Sequence, residues 1–129
     1  MTIKDTIKKQ DEEFIEEGAN LEHERWARWQ KYVFSKSEWT KDGYVIPKEL
    51  CLRWQKQIDM PYDKLSEQEK DSDKKETINY LSLLHRRDQA IAEAVREEEK
   101  ERILKTVLEI TDKGFDCICS GFIKDKFKI

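Results

Sequence analysis

The chain has 129 residues, 41% of them charged and 37% hydrophobic, with 25 basic and 28 acidic side chains and a formal net charge of -3. That length fits one domain with chain to spare for a protruding element, and the fine interspersion of both charge signs leaves no basic stripe for a nucleic-acid polymer. Four Trp, five Phe and four Tyr argue against disorder, because aromatic side chains drive collapse.

No apolar run approaches the roughly 20 residues that span a bilayer, and the start, Met1 to Gln10, is polar and lysine-rich, unlike a signal sequence. No membrane partner is expected. An odd number of cysteines, three, fits a reducing compartment and a cytoplasmic location. Cys117-x-Cys119 lacks the two-residue spacing of a zinc knuckle and has no second pair to complete one, so no metal site is expected.

In chain order, Ile3, Ile7, Phe14 and Ile15 predict an N-terminal helix over residues 1–20, punctuated by Gly18 and Asn20. A new helix is expected from about Leu21 to Phe34. Its Glu22, Trp26, Trp29 and Val33 recur at i, i+4, i+7 and i+11, so both indoles share one face. Ser35 to Ile46 reads as a connector in which Asp42-Gly43 predicts a short hairpin or an extended corner.

Pro47 suits the first turn of the next helix, which runs to about Asp59 with Leu50, Trp54 and Ile58 on one stripe. Cys51 beside them reads as a small core residue, and Met60-Pro61 ends the helix. Ser66-Glu67-Gln68-Glu69 is a capping box. The helix it starts meets no proline or glycine until Gly114, with a break expected near His85-Arg86 and with Ile78, Leu81 and Leu84 as core positions.

Arg96 to Arg102 contains no apolar residue, so a helix there projects into solvent or bridges between bodies, aided by pairs such as Glu98 with Arg102. Apolar positions resume at Ile103, Leu104, Val107, Leu108 and Ile110, and Gly114 supplies a stop. In the tail, 115–129, Phe115, Cys117 and Cys119 alternate with polar residues, which predicts a small hairpin or a strand. The fold class expected is therefore all-α, a compact helical domain with a long charged C-terminal helix and a short irregular or β-like tail. The organisation is an N-terminal helix over 1–20, a core over 21–84, an extended charged helix over 85–114 and a tail over 115–129.

Two motifs stand out: His23-Glu24-Arg25-Trp26, and Pro61-Tyr62-Asp63-Lys64-Leu65-Ser66-Glu67-Gln68-Glu69-Lys70-Asp71-Ser72-Asp73. In order and spacing they resemble the two signature helices of the ryanodine-receptor repeat, the RyR domain, over about Leu21 to Leu84. The connector departs from that pattern, with Glu38-Trp39 and Gly43-Tyr44 where the family places Gly-Trp and Tyr-Gly. The resemblance implies a single-copy helical module of the small bacterial and phage type, without catalysis or cofactor. Its implied ligand is nucleotide-derived, of the ADP-ribose or adenine-nucleotide type, and a phage copy would sense or sequester it in the host cytoplasm.

Such a ligand needs an aromatic face for the base and cationic donors for phosphate oxygens. The candidate ligand-binding residues are His23, Arg25, Trp26, Trp39, Tyr62, Lys70, Asp73 and Lys74, with Arg28 as a further cation and Trp29 as a further ring. Against these stand plainer readings. Trp26, Trp29 and Trp54 serve as core, His23 hydrogen-bonds Tyr62 or Asp73, Glu24 and Asp73 form ion pairs between helices, and His85-Arg86-Arg87 is a solvated face. No Ser-His-Asp order, P-loop or His-Glu-x-x-His motif is present, so no enzyme is expected. The alternative function is protein–protein interaction without a small molecule, through the C-terminal helix and tail, either with a host protein or as a homo-oligomer.

Overall fold

The computed structural model describes the backbone of residues 1–126 and the side chains of residues 1–114. The chain is mostly helical: α1 (Ile3–Ser35), a hairpin of β1 (Glu38–Thr40) and β2 (Gly43–Val45), α2 (Lys48–Ile58), a 3₁₀ turn (Tyr62–Lys64), α3 (Glu67–Ile78) and α4 (Leu81–Lys126). No helix among the described residues is long and apolar enough to cross a membrane. Two compact units emerge, one of Lys9–Arg87 and one of Met1–Lys8 with Asp88–Ile129.

α1 is one helix where two were expected. Its start is capped reciprocally: the Asp5 N–H donates to Thr2 Oγ1 at 3.1 Å, and the Thr2 N–H donates to Asp5 Oδ2 at 3.1 Å. Such a cap is worth about 1 kcal/mol. Gly18 is a contact rather than a stop. It is buried, and a Cβ placed there would lie 3.6 Å from Cε1 of Tyr80. At that distance a Cβ would make ordinary van der Waals contact, so the helix runs on here although glycine costs a helix interior roughly 1 kcal/mol.

Within the unit Lys9–Arg87, α1 and the first turns of α4 run antiparallel, as three contacts establish. Gly18 meets Tyr80, Glu17 pairs with Arg86, and Asp11 pairs with Arg87 at 2.7 Å. His85-Arg86-Arg87 is thus not a purely solvated face, because its two arginines clamp α4 to α1. Leu83, 8% exposed, is the buried hydrophobic side chain among the described residues. A cleft of about 30 Å³ beside it is lined by Phe14, Glu17, Arg86 and Arg87.

The expected core trio of Ile78, Leu81 and Leu84 is exposed instead. The reason is local. The helix breaks at Asn79-Tyr80, earlier than His85-Arg86, and α4 restarts at Leu81, which turns Leu83 inward. From there α4 is continuous.

The hairpin forms as the Asp42-Gly43 signal predicts, with Trp39 opposite Tyr44 and Thr40 opposite Gly43. Gly43 has φ +114°, a conformation that side chains rarely adopt, and Thr40 Oγ1 donates to the Gly43 carbonyl at 2.9 Å. Phe34 stacks on Tyr44 with centroids 4.5 Å apart, which ties the hairpin to the end of α1. α2 lies against α1 through Trp54, whose ring sits 5.3 Å from Trp29 and 6.4 Å from Tyr32. Cys51 faces outward, not into the core, with Sγ 3.7 Å from the Ile46 carbonyl. It follows Leu50 by one residue and so leaves the helix about 100° away from the shielded stripe.

In the other unit, Ile3, Thr6 and Ile7 of α1 are half-buried, as are Ala90, Ile91 and Ala94 of α4. Arg96 to Arg102 is fully solvated, and its ion pairs are Lys100 with Glu97 at 2.8 Å and Arg102 with Glu99 at 2.6 Å, so Arg102 takes Glu99 in place of Glu98. Exposed pairs of this kind add only tenths of a kcal/mol. The backbone passes Gly114 and stays helical to Lys126, where a stop followed by a hairpin or strand was expected. A glycine inside a helix costs about 1 kcal/mol, less than breaking a cooperative run of hydrogen bonds. Phe115, Cys119 and Phe122 also fit the steps i, i+4 and i+7, so the alternation was open to a helical reading. Residues 127–129 of the expected tail lie outside the described residues.

Candidate functional site

Periodicity builds a groove inside the unit Lys9–Arg87. On α1, Glu22, Arg25, Trp26, Trp29 and Tyr32 follow one face at steps of three and four. On α3, Glu69, Ser72, Asp73 and Glu76 do the same. Facing each other, with Gln57 and Ile58 from the end of α2 and Leu65 from the turn, they line an open groove of about 820 Å³. That is within the size range of ligand clefts.

The α3 wall is positioned by its cap. The Glu69 N–H donates to Ser66 Oγ at 3.2 Å and the Ser66 N–H donates to Glu69 Oε2 at 2.9 Å, the reciprocal box the sequence predicts. Glu69 also accepts from the Gln57 amide, which joins α2 to α3. Across the groove Arg28 Nη2 meets Glu76 Oε2 at 2.7 Å, and the Tyr80 hydroxyl donates to Glu22. That last bond raises the Tyr80 phenol above its ordinary value.

The Gln57 amide first, and then Ser66, hold the Glu69 carboxyl below the usual glutamate range. A carboxyl lowered on folding stabilises the fold above its unfolded value of about 4.3, and that contribution is lost as pH falls through the folded value. Thermal melts from pH 6 down to pH 3 are therefore expected to fall less steeply for Glu69→Gln than for the parent chain. Parallel acid limbs would show that the box and the α2 contact do not depend on the charge.

The groove is acidic on balance. Glu22, Glu69, Asp73 and Glu76 face Arg25 and Arg28, an excess of two negative charges. Both guanidiniums have carboxylates beside them, Arg28 with Glu76 and Arg25 with Glu22 at 3.7 Å. Asp73 makes no side-chain hydrogen bond or ion pair among the described residues, and its backbone carbonyl accepts from the Thr77 hydroxyl at 3.1 Å. The apolar part of the wall is open to solvent: Trp26 is 59% exposed and Trp29 46%.

The structure groups the sequence candidates unevenly. Arg25, Trp26 and Asp73 line this groove. Tyr62, Asp73 and Lys74 line a second, shallower one of about 460 Å³ with Ile78 and Leu81. Lys70 lies 5.9 Å from the Tyr62 ring centroid and 3.4 Å from Glu67, while Lys74 is 3.5 Å from Asp71.

His23 stacks on Trp26 with centroids 6.0 Å apart, in place of the expected bond to Tyr62 or Asp73. Glu24 accepts from Asn20 on its own helix and takes no part in pairing between helices. Trp26 belongs to the groove wall rather than the core, whereas Trp54 is half-buried. Trp39, 71% exposed, packs edge-on against Tyr44 in the hairpin and lines neither groove. Tyr32, Glu76 and Ile58 line the groove without having been singled out as ligand residues. The steps from Glu22 to Tyr32 carried the first of these, while the other two depend on how α2 and α3 meet α1. Comparison with protein-family models, with curated proteins and with solved structures finds no match for this chain.

Proposed function

We propose that the chain is a non-catalytic interaction protein that self-associates through the apolar end of α4. The observation behind this reading is that Ile103, Leu104, Val107, Leu108 and Ile110 are each more than half exposed. Spacing adds to it. The shielded positions Leu83, Arg87, Ala90 and Ala94 advance by four, three and four, and the same steps pass through the exposed Glu97 and Glu101 before reaching Leu104, Leu108 and Thr111. In the sequence they continue to Phe115, Ile118 and Phe122. Such a 4-3 repeat is the signature of a helix seam that wants a second helix.

Covering the exposed half of each of the five side chains would gain about 1 kcal/mol apiece, or roughly 10 kcal/mol over two copies. Association costs about 4–15 kcal/mol, a term of the same size, so the dimer proposed is weak and concentration-dependent. Sedimentation velocity across a range from about 1 to 100 μM tests it. The parent chain is expected to shift from monomer to dimer, and Leu104→Glu with Leu108→Glu to stay monomeric at every concentration. A parent chain that remains monomeric throughout would overturn the proposal.

The RyR-like motifs bring a second reading, a nucleotide-derived ligand in the groove, possible for the base through the faces of Trp26 and Trp29. Its phosphates fare worse. Arg25, Arg28, Lys70 and Lys74 each already have a carboxylate within 4 Å. Those exposed pairs are weak enough to be displaced, but the acidic excess of the groove stays. Calorimetry with ADP-ribose and adenine nucleotides decides this reading, and silence across that panel removes it.

A further inference from the structure

We propose that the groove between α1 and α3 receives a basic protein segment, with a lysine or arginine head over the indoles of Trp26 and Trp29 and facing Asp73. This rests on the groove alone and is independent of self-association through α4. Three features point the same way. First, the charge balance selects the sign of the guest. Four carboxylates face two guanidiniums, and the guanidiniums already lie beside Glu76 and Glu22, so the field left for a guest is negative. Asp73 is the carboxylate in this wall without a side-chain partner among the described residues.

Second, the apolar surface selects the chemistry of the head group. Trp26 and Trp29 stand one turn apart on the same face and both are open to solvent. The indole face is the best aromatic partner for an ammonium or guanidinium group. Trp29 is also held in place, with Tyr32 5.5 Å and Trp54 5.3 Å from its centroid, so a guest meets a wall that is already ordered.

Third, length and lining select a peptide over a free amine. From Glu22 to Tyr32 the wall rises ten residues of helix, about 15 Å, which matches four to five residues of extended chain. Ile58 and Leu65 add apolar contact to the lining. An alternating basic and apolar segment satisfies both with branched side chains, whereas a linear polyamine brings only its thin methylene chain to the apolar contacts.

The test titrates a fluorescent eight-residue peptide of alternating Lys and Leu into the full chain, following anisotropy and Trp emission. A Glu-for-Lys peptide, spermine and ADP-ribose serve as the other arms. Saturable binding of the Lys peptide is expected, weakened by added salt. Asp73→Asn is expected to weaken it about fivefold, the effect of one partly exposed charge pair. Trp26→Ala is expected to weaken it further. Circular dichroism checks that both variants stay folded, which their exposed positions favour. The Leu104→Glu, Leu108→Glu chain is expected to bind as the parent does, and loss of binding there would place the guest on α4 and overturn the groove. No saturable binding, equal binding of the Glu peptide, or equal affinity in both groove variants would each overturn the proposal. Spermine or ADP-ribose binding more tightly than the Lys peptide would overturn the choice of guest.

Discussion

Leu83→Ala is expected to lower the unfolding free energy by about 2–3 kcal/mol, the low end of the range for buried leucines. The low end applies because the small cleft beside Phe14, Arg86 and Arg87 can close partly over the void. For a unit of this size that loss lowers the melting temperature by roughly 10–20 °C. Leu81→Ala and Leu84→Ala remove side chains that are substantially exposed, and each is expected to cost about 1 kcal/mol or less. The effect of Leu83 is large because so little else is enclosed. In the unit Lys9–Arg87 the interior positions are Gly18 and Leu83, and the helices are held otherwise by half-buried contacts and by ion pairs at Asp11, Glu17 and Arg28. Those pairs sit near the surface and contribute little each. Urea and thermal unfolding of the three variants measure the difference directly, and equal losses at 81, 83 and 84 would contradict the register of α4.

Local chemistry made some elements readable and left others hidden. The Ser66 to Glu69 box, the Asp42-Gly43 turn and the Pro47 and Pro61 boundaries appear where the sequence puts them, because each depends on residues within four positions of one another. Gly18 misled for the opposite reason. Its neighbours in sequence say break, but in space it is buried against Tyr80, 62 positions later, and the helix runs through it. The shift of the core from Leu84 to Leu83 follows from two residues, Asn79 and Tyr80, dropping out of the helix. Asn79, the C-cap of α3, is only a weak stop signal beside glycine or proline, and Tyr80 is none.

The site divides in the same way. One wall of the groove was legible as the α1 stripe that carries Trp26 and Trp29. The neutralisation of Arg28 by Glu76, 48 positions away, was not, and it changes the chemistry that the wall can offer. A row of cations in sequence is a poorer anion site where tertiary structure sets carboxylates beside it.

The two tryptophans of that wall should separate stability from recognition. Trp29 has Tyr32 and Trp54 against it, and aromatic pairs of this kind are worth about 0.5–1.5 kcal/mol each beyond their area. With the half of the indole that is shielded, Trp29→Ala is expected to cost about 2–3 kcal/mol and to loosen α2 from α1. Trp26 stacks on His23 one turn away and is more exposed, so Trp26→Ala is expected to cost under about 1 kcal/mol. Melting curves of the two variants should then differ by roughly 10 °C, with Trp29→Ala the lower. The physical point lies in what each ring touches. A ring packed against another helix is occupied by the fold, while a ring stacked on its own helix adds little to folding and leaves its surface open to a guest. Equal melting temperatures for the two variants would mean that Trp26 is structural after all, and the groove would then lose the face on which its guest is proposed to lie.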